Sequence, residues 1–432
     1  MTNNDFGLEL DKIDLPNFID DSKVVIETTS NCEQLSNRNS YNLNVQEQLV
    51  DQPIWNDALY RQLHDTKVFS RDNLDQIFEV VDRVYGTKVS DVVFPSENSV
   101  YIKVDKLLIP LFNRQITKPE IEQFISQVLG DEAVYDLKNP DNDDIDESYN
   151  ALLSDKLLRY RLNACRYREP IGSQGYKLTF RSLPSKVPTF DDYNVPDFIR
   201  RNSSPSKGLV IIAGPTGSGK TTLCAAILDS INKDANYPRF VLAYEQPPEY
   251  LLGSLKGPNP IFQHAVGKYK DMKNFAAALR NSLRNAPGVI FSGETRDAET
   301  FEILPRIAES GHLAITTTHA GTVSGILTRV SNEVSGDKEQ IIRNFITYAH
   351  LFVVQNLVRT VDGRMTPVHE WLLFDDEIKK NLLSLPKGHD LVTEVNSLVI
   401  KNGKPLKDDL TNLYKSGIIS EFTFRRHLSG DL

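Results

Sequence analysis

The sequence predicts an α/β protein: a small α+β domain, a linker, a larger domain built on a mostly parallel sheet, and a helical tail. Three observations predict it. Amphipathic helices and short strands lead up to two alternating segments, "LRYRLNACRY" and "GYKLTFRSLP". From Gly208 onward, apolar strands alternate with helical segments, the pattern of a parallel sheet. Between the first such strand and helix lies "GPTGSGKTT", a glycine-rich turn ending in a lysine and two threonines.

A chain of 432 residues has room for two or three domains with real cores. A net charge of -9 argues against a protein that coats nucleic acid through its overall field. Cys32, Cys165 and Cys224 show no CxxC spacing, so neither a zinc module nor a disulfide framework is indicated. No apolar stretch approaches membrane-spanning length, and the N-terminus lacks the basic and apolar regions of a secretory signal. The expectation is a cytoplasmic protein without an integral membrane segment, free to dock peripherally on a membrane complex.

Residues 1–53 are polar and acidic without a sustained period. They read as a disordered arm, with a short docking motif around Leu15 to Ile19. The α+β domain is expected over 54–183. In "RDNLDQIFEVVDRVYG", Leu74, Ile77, Phe78, Val81, Val84 and Tyr85 recur at helical intervals and Gly86 ends the helix. "SDVVFP", "SVYIKVD" and "KLLIPLF" read as strands. In "ITKPEIEQFISQVLG", Thr117 and Glu120 form a capping box and Pro119 fits the first turn. "NPDNDDIDES" lacks the glycine and closing glutamate of a calcium loop and reads as a solvated loop. In the two alternating segments that follow, Tyr160, Leu162, Ala164, Tyr176, Leu178 and Phe180 should face a core; Arg161 and Arg181 lie on the polar faces. Residues 184–207, rich in Pro and Ser, read as a linker; 208–375 as the parallel α/β domain; 376–432 as two or three helical segments, including "KDDLTNLYKSG" and "SEFTFRRHL".

Gly214, Gly219, Lys220 and Thr221 stand in the spacing GxxxxGK[ST], between the strand Leu209–Ala213 and the helix "TTLCAAILDSI". The loop from Gly214 through Pro215, Thr216, Gly217, Ser218 and Gly219 to Lys220, Thr221 and Thr222 should cradle nucleotide phosphates with backbone amides and the helix N-terminus. Lys220 should reach the β and γ oxygens, and the Thr221 hydroxyl should hold Mg²⁺. "FVLAYEQPPEYLL" ends a strand in Glu245 and Glu249, where a carboxylate could orient a water for attack on the γ-phosphate. "PGVIFSGETRDAET" places Glu294 after the next apolar strand, in reach of Mg²⁺ through water. In "DMKNFAAALRNSLRNAPG", Phe275, Leu279 and Leu283 form an apolar stripe, with Arg280 and Arg284 beside it as a candidate phosphate clamp.

These segments, followed by "ESGHLAITTTHAGT", occur in this order at compact spacing. The set closely resembles the secretion and pilus-motor ATPases, the PilT, GspE and DotB superfamily, where they are the Walker A, Asp box, Walker B and His box. The tail, with "YKSGIISE", is most similar to the DotB/TraJ branch of type IVB secretion and conjugation. The resemblance implies a RecA-like ATPase domain behind a PAS-like N-terminal domain. It also implies a homohexamer with ATP between subunits that works on inner-membrane secretion or conjugation machinery and does not bind nucleic acid directly. It makes Glu249 the catalytic base, Glu294 the Walker B glutamate, Arg161 and Arg181 the N-terminal-domain arginines that reach nucleotide phosphates, and Arg280 and Arg284 the pair in the helix before Walker B. The chain departs from the family at Gln246, at Ala286-Pro287-Gly288, and at Pro305, which should bend the helix before the His box. A pilus retraction motor, a RecA-like nucleic-acid translocase and a P-loop small-molecule kinase are the rival readings. No basic, aromatic stacking platform supports the translocase.

His312 and His319 bracket one strand. Seven residues of strand span about 23 Å and an odd separation turns the two rings to opposite faces, so one metal ion cannot bind both. His319, at the strand's C-terminal end beside the phosphate loop, is expected to detect the γ-phosphate, with burial favouring its neutral form; His312 is expected to brace the helix–strand junction.

Overall fold

The computed structural model describes residues 70–428, except 106, 113, 143, 154–155, 170–171, 194, 269 and 387. All belong to one compact unit, Asp57–Leu432. The expected N-terminal arm and its motif lie outside the described residues.

The first part of this unit comprises α1 (Arg71–Tyr85), β1 (Val89–Pro95), β2 (Tyr101–Val104), β3 (Leu107–Pro110), α2 (Lys118–Leu129), α3 (Asp131–Lys138), β4 (Asp144–Leu152), β5 (Leu157–Arg168) and β6 (Gln174–Leu183). The strands form an antiparallel sheet in the order β3-β2-β1-β6-β5-β4. Both α1 and α2 start in capping boxes, Ser70 with Asn73 and Thr117 with Glu120, each satisfying amide donors that the first helical turn leaves open. The apolar stripe of α1 lies on the sheet: Phe78 stacks on Tyr160 at 4.0 Å and meets Phe180 edge-on at 5.2 Å.

The acidic run expected to be a solvated loop corrects that reading. From Asp144 it is strand β4, paired along its whole length with β5. Two of its carboxylates are paired: Asp146 with Arg161, and Glu147 with Lys270 of the second part. Such charges on an edge strand also block its pairing with another chain.

The segment expected to be a linker is only partly one. Helix α4 (Asp197–Asn202) lies within it, with Val195 and Ile199 buried in the second part's core and Phe198 stacked on Trp371 at 5.3 Å. Then come β7 (Gly208–Ala213), α5 (Lys220–Lys233), β8 (Val241–Glu245), β9 (Ile261–Ala265), α6 (Phe275–Ser282), β10 (Val289–Ser292), α7 (Ala298–Glu309), β11 (Leu313–Thr318), α8 (Val323–Glu333), α9 (Lys338–Tyr348), β12 (Ala349–Arg359) and β13 (Met365–Leu373). The sheet order is β13-β12-β7-β11-β10-β8-β9; β13 is antiparallel and every other pairing is parallel. With a hydrophobic cluster on each face, β7, β8, β10 and β11 are buried throughout, which is why each opens as an apolar run even where it ends in a polar residue.

Helix α6 stops at Ser282, so Leu283 is exposed and Arg284 lies beyond the helix. Pro287 disfavours helical backbone in the residue before it, and Ala286 has φ +49°. Pro305 sits inside α7, and the helix runs on through it to Glu309. Where two or three helical segments were expected, the described residues of the tail form four helices: α10 (Asp376–Ser384), α11 (Leu391–Asn402), α12 (Leu406–Lys415) and α13 (Glu421–Leu428). The first two pack on the main core through Ile378, Leu382, Val395 and Leu398.

Candidate functional site

Strand β7 runs parallel between β11 and β12 and delivers the chain into the loop at Gly214. Two glycines there have no substitute. Gly214 has φ +149° and Gly219 +83°; a Cβ on Gly214 would lie 2.2 Å from the Gln355 carbonyl oxygen. Helix α5 begins at Lys220 directly after Gly219, so its free first-turn amides open onto the loop. The Lys220 ammonium donates to the carbonyls of Gly214 and Pro215, each at 2.9 Å. Burial holds its pKa below the usual lysine range, while the nearby Glu294 and Glu249 oppose that shift. Pro215, Thr216 and Gly217 are exposed at the loop's tip, and Thr221 is half-buried at the first turn. The Thr222 hydroxyl is shared with Tyr250, 3.0 Å away, beside Glu249.

Glu294 follows β10, and His319 follows β11, the next strand. Their side chains meet, His319 Nε2 lying 3.4 Å from Glu294 Oε1. Partial burial and the Lys220 charge both hold His319 below the usual histidine range, against the pull of Glu294. The ring is 38% exposed, so it is less enclosed than a strand end suggests. His312, at the other end, meets Ser310 Oγ at 3.0 Å. The three threonines between them secure the Glu294 turn: Thr316, Thr317 and Thr318 donate to the carbonyls of Ser292, Gly293 and Thr295 at 3.0, 2.5 and 3.0 Å.

Glu245 ends β8 and is buried, with Gln263 donating to it at 2.6 Å. Burial pushes its pKa up to about 7, against that hydrogen bond. Glu249, half-buried, is held through its backbone: Arg159 of β5, only 3% exposed, donates to the carbonyls of Glu249 (2.6 Å) and Pro248 (3.0 Å). Arg161 and Arg181 stand opposite one another on β5 and β6. Arg161 pairs with Asp146, and Arg181 with Asp91 at 2.9 Å. Of these two, Arg161 lies within the influence of the Glu249 charge. Arg280 pairs with Glu299 of α7, and Arg284 is exposed past the end of α6.

Sequence reasoning missed Arg159, Gln355 and the threonine ladder. Each left a faint signal. Arg159 precedes Arg161 by two and shares its face; Gln355 interrupts the apolar run "HLFVVQNLV"; and three successive threonines end a buried strand.

The parallel sheet, the glycine loop at its C-terminal edge and the carboxylates around the loop lysine define a P-loop ATPase. The chain belongs to the Type II/IV secretion system protein family, whose model matches residues 76–384. It is 29% identical over 308 residues to the type IV pilus retraction ATPase PilT of Pseudomonas aeruginosa, covering 71% of this chain and 86% of that protein. The crystal structure of the Legionella pneumophila ATPase DotB matches with a TM-score of 0.77 at 29% identity, over 84% of this chain and 97% of DotB. The pilus retraction motor PilT with bound ADP matches with a TM-score of 0.68 at 28% identity, over 81% of this chain and 95% of that one.

Proposed function

We propose that this ATPase is a cytoplasmic homohexamer that docks at the inner membrane and turns ATP hydrolysis into mechanical work on a type IVB secretion or conjugative transfer apparatus. The observation that carries this reading is the likeness to DotB, which extends over nearly the whole of that chain. A pilus retraction motor is the second reading, favoured by the identity with PilT.

In this reading the amides of 214–222 and the Lys220 ammonium hold the ATP phosphates, and Glu249 takes the proton of the attacking water. Thr221 and Glu294 would hold Mg²⁺, which supplies charge neutralisation at the phosphates. A hydroxyl and a carboxylate suit this ion, because Mg²⁺ keeps waters and substrate oxygens in its remaining positions. Arg161 and Arg181 leave their carboxylate partners to reach nucleotide in the assembled ring.

Steady-state ATPase assays and nucleotide binding test the assignment. Lys220→Ala should fall below about a tenth of wild-type turnover, one decade being about 1.4 kcal/mol of barrier. Glu249→Gln should bind ATP and hydrolyse it very slowly; normal turnover there moves the base to Glu294 or Glu245. Restored secretion or DNA transfer in a deletion strain, set against restored twitching, separates the two readings, and a sizing column with ATP tests the hexamer.

A further inference from the structure

Gln355 lies inside β12, beside β7, and is buried. Its side-chain amide nitrogen donates to the Ser218 carbonyl, within the phosphate loop, at 2.7 Å. A carbonyl can only accept, so this bond orients the amide and turns Oε1 toward His369 Nε2, 3.1 Å away, which must then be the donor. His369 is the register partner of Gln355 on β13 and is also buried. Its backbone amide donates to Asp409 Oδ2 at 2.8 Å, while its Nδ1, 3.7 Å from the same oxygen, makes no hydrogen bond there. Asp409 belongs to α12 and also holds Lys404. Through the ring of His369 on one side and its backbone amide on the other, hydrogen bonds therefore run from the phosphate loop to the C-terminal tail.

Two further observations point the same way. The loop is moulded on Gln355: a Cβ on Gly219 would lie 2.8 Å from its amide nitrogen, and one on Gly214 2.2 Å from its carbonyl oxygen. Beside His369, the buried Glu370 accepts from the amide of Val323 at 2.7 Å and from that of Leu406. Val323 starts the helix after His319, and Leu406 starts α12. The same end of α12 is thus tied to both loops of the candidate site.

We propose that Gln355 is a positioning residue for the phosphate loop, and that His369 and Asp409 connect it to α12, so that nucleotide binding and the seating of this tail helix are coupled. The proposal rests on the reading of the loop as an ATP site. A loop held in its cradle before nucleotide arrives binds it more tightly, and by linkage bound nucleotide must hold the tail more firmly.

The experiment uses the full chain with Mg²⁺ and a non-hydrolysable ATP analogue. Gln355→Met should weaken analogue binding about tenfold, or about 1.4 kcal/mol. Asp409→Asn should weaken it several-fold, and the double variant should bind no worse than Gln355→Met alone, the signature of two groups acting in series. Hydrogen exchange supplies the readout that a merely structural role does not move. In the wild type, the analogue should slow exchange in Leu406–Lys415; in Gln355→Met held at saturating analogue, that protection should vanish. Wild-type exchange indifferent to the analogue, protection that survives Gln355→Met, or additive losses in the double variant overturn the coupling. Should Gln355→Met unfold, Asp409→Asn with unchanged affinity and unchanged protection overturns it equally. A wild type that binds no nucleotide instead sinks the ATP-site reading itself.

Discussion

At the scale of single residues, Glu245 is the group whose environment makes the sharpest demand. A carboxyl with an ordinary value of 4.5 is pushed up to about 7 by burial. Between those pH values the unfolded chain has released the proton and the folded chain keeps it. The folded state then binds more protons, so stability falls as pH rises. The effect is on the order of 3 kcal/mol between pH 4.5 and 7 and levels off above. Glu245→Gln should remove this slope: the variant should match the wild type near pH 4.5 and exceed it at pH 8 in urea unfolding. Equal stability of the two proteins at pH 8 would show that Glu245 ionises freely. The carboxyl's position after an apolar strand was legible in the sequence, whereas its burial was not. The side chain of Gln263 covers it from β9, and no local pattern announces which polar residue will lie across a parallel pair.

At the scale of elements, β11 carries the argument. Local signals predicted it well, with Gly311 before it and a buried apolar run within it. Its work at the site comes from what it touches across the sheet. The threonine hydroxyls satisfy the carbonyls of the turn after β10, and this holds Glu294 where His319 can meet it. Elements with strong local periods, such as α1, α2 and the β5–β6 hairpin, were legible for the same reason as β11. Strand β4 was not, because its carboxylates are matched by Arg161 and Lys270 from elsewhere in the chain, and its composition alone resembles a loop. The two ends of β11 separate two kinds of effect. His319→Ala should keep ATP affinity within a few-fold, since Lys220 and the loop amides hold the phosphates, but it should lose most turnover and all transport. His312→Ala loses the contact with Ser310, away from the phosphate loop, and should show a small shift in melting temperature with turnover near normal. Nucleotide affinity, turnover and melting measured on both variants decide the matter, and normal turnover in His319→Ala alone removes its sensing role.

At the scale of the whole molecule, the N-terminal sheet touches the ATPase part through contacts of unequal worth. Lys268 pairs with Asp136 at 3.1 Å with its side chain 56% exposed, and a pair so open contributes about 0–1 kcal/mol. Arg159 is different. It is buried, and both of its terminal nitrogens hold carbonyls of the segment that carries Glu249. Removing it leaves two carbonyls facing a cavity and frees the candidate base to shift. A displacement of about 1 Å at a reacting group can cost on the order of a hundredfold in rate. Arg159 thus ties the N-terminal sheet to the segment that carries the candidate base, and alternation in "RYRLN" hints at it only after the facing strand is known. Arg159→Ala should lose at least about tenfold in turnover, a decade corresponding to about 1.4 kcal/mol, while ATP affinity changes less because the phosphate loop is untouched. Lys268→Ala should stay within about twofold in both. Since Arg159→Ala also removes buried hydrogen bonds, Arg159→Lys serves as the milder control: it keeps the charge and can reach one carbonyl, and it should recover stability before it recovers rate. Turnover in Arg159→Ala equal to that of Lys268→Ala would show that domain contact is a matter of docking alone, with no hold on Glu249.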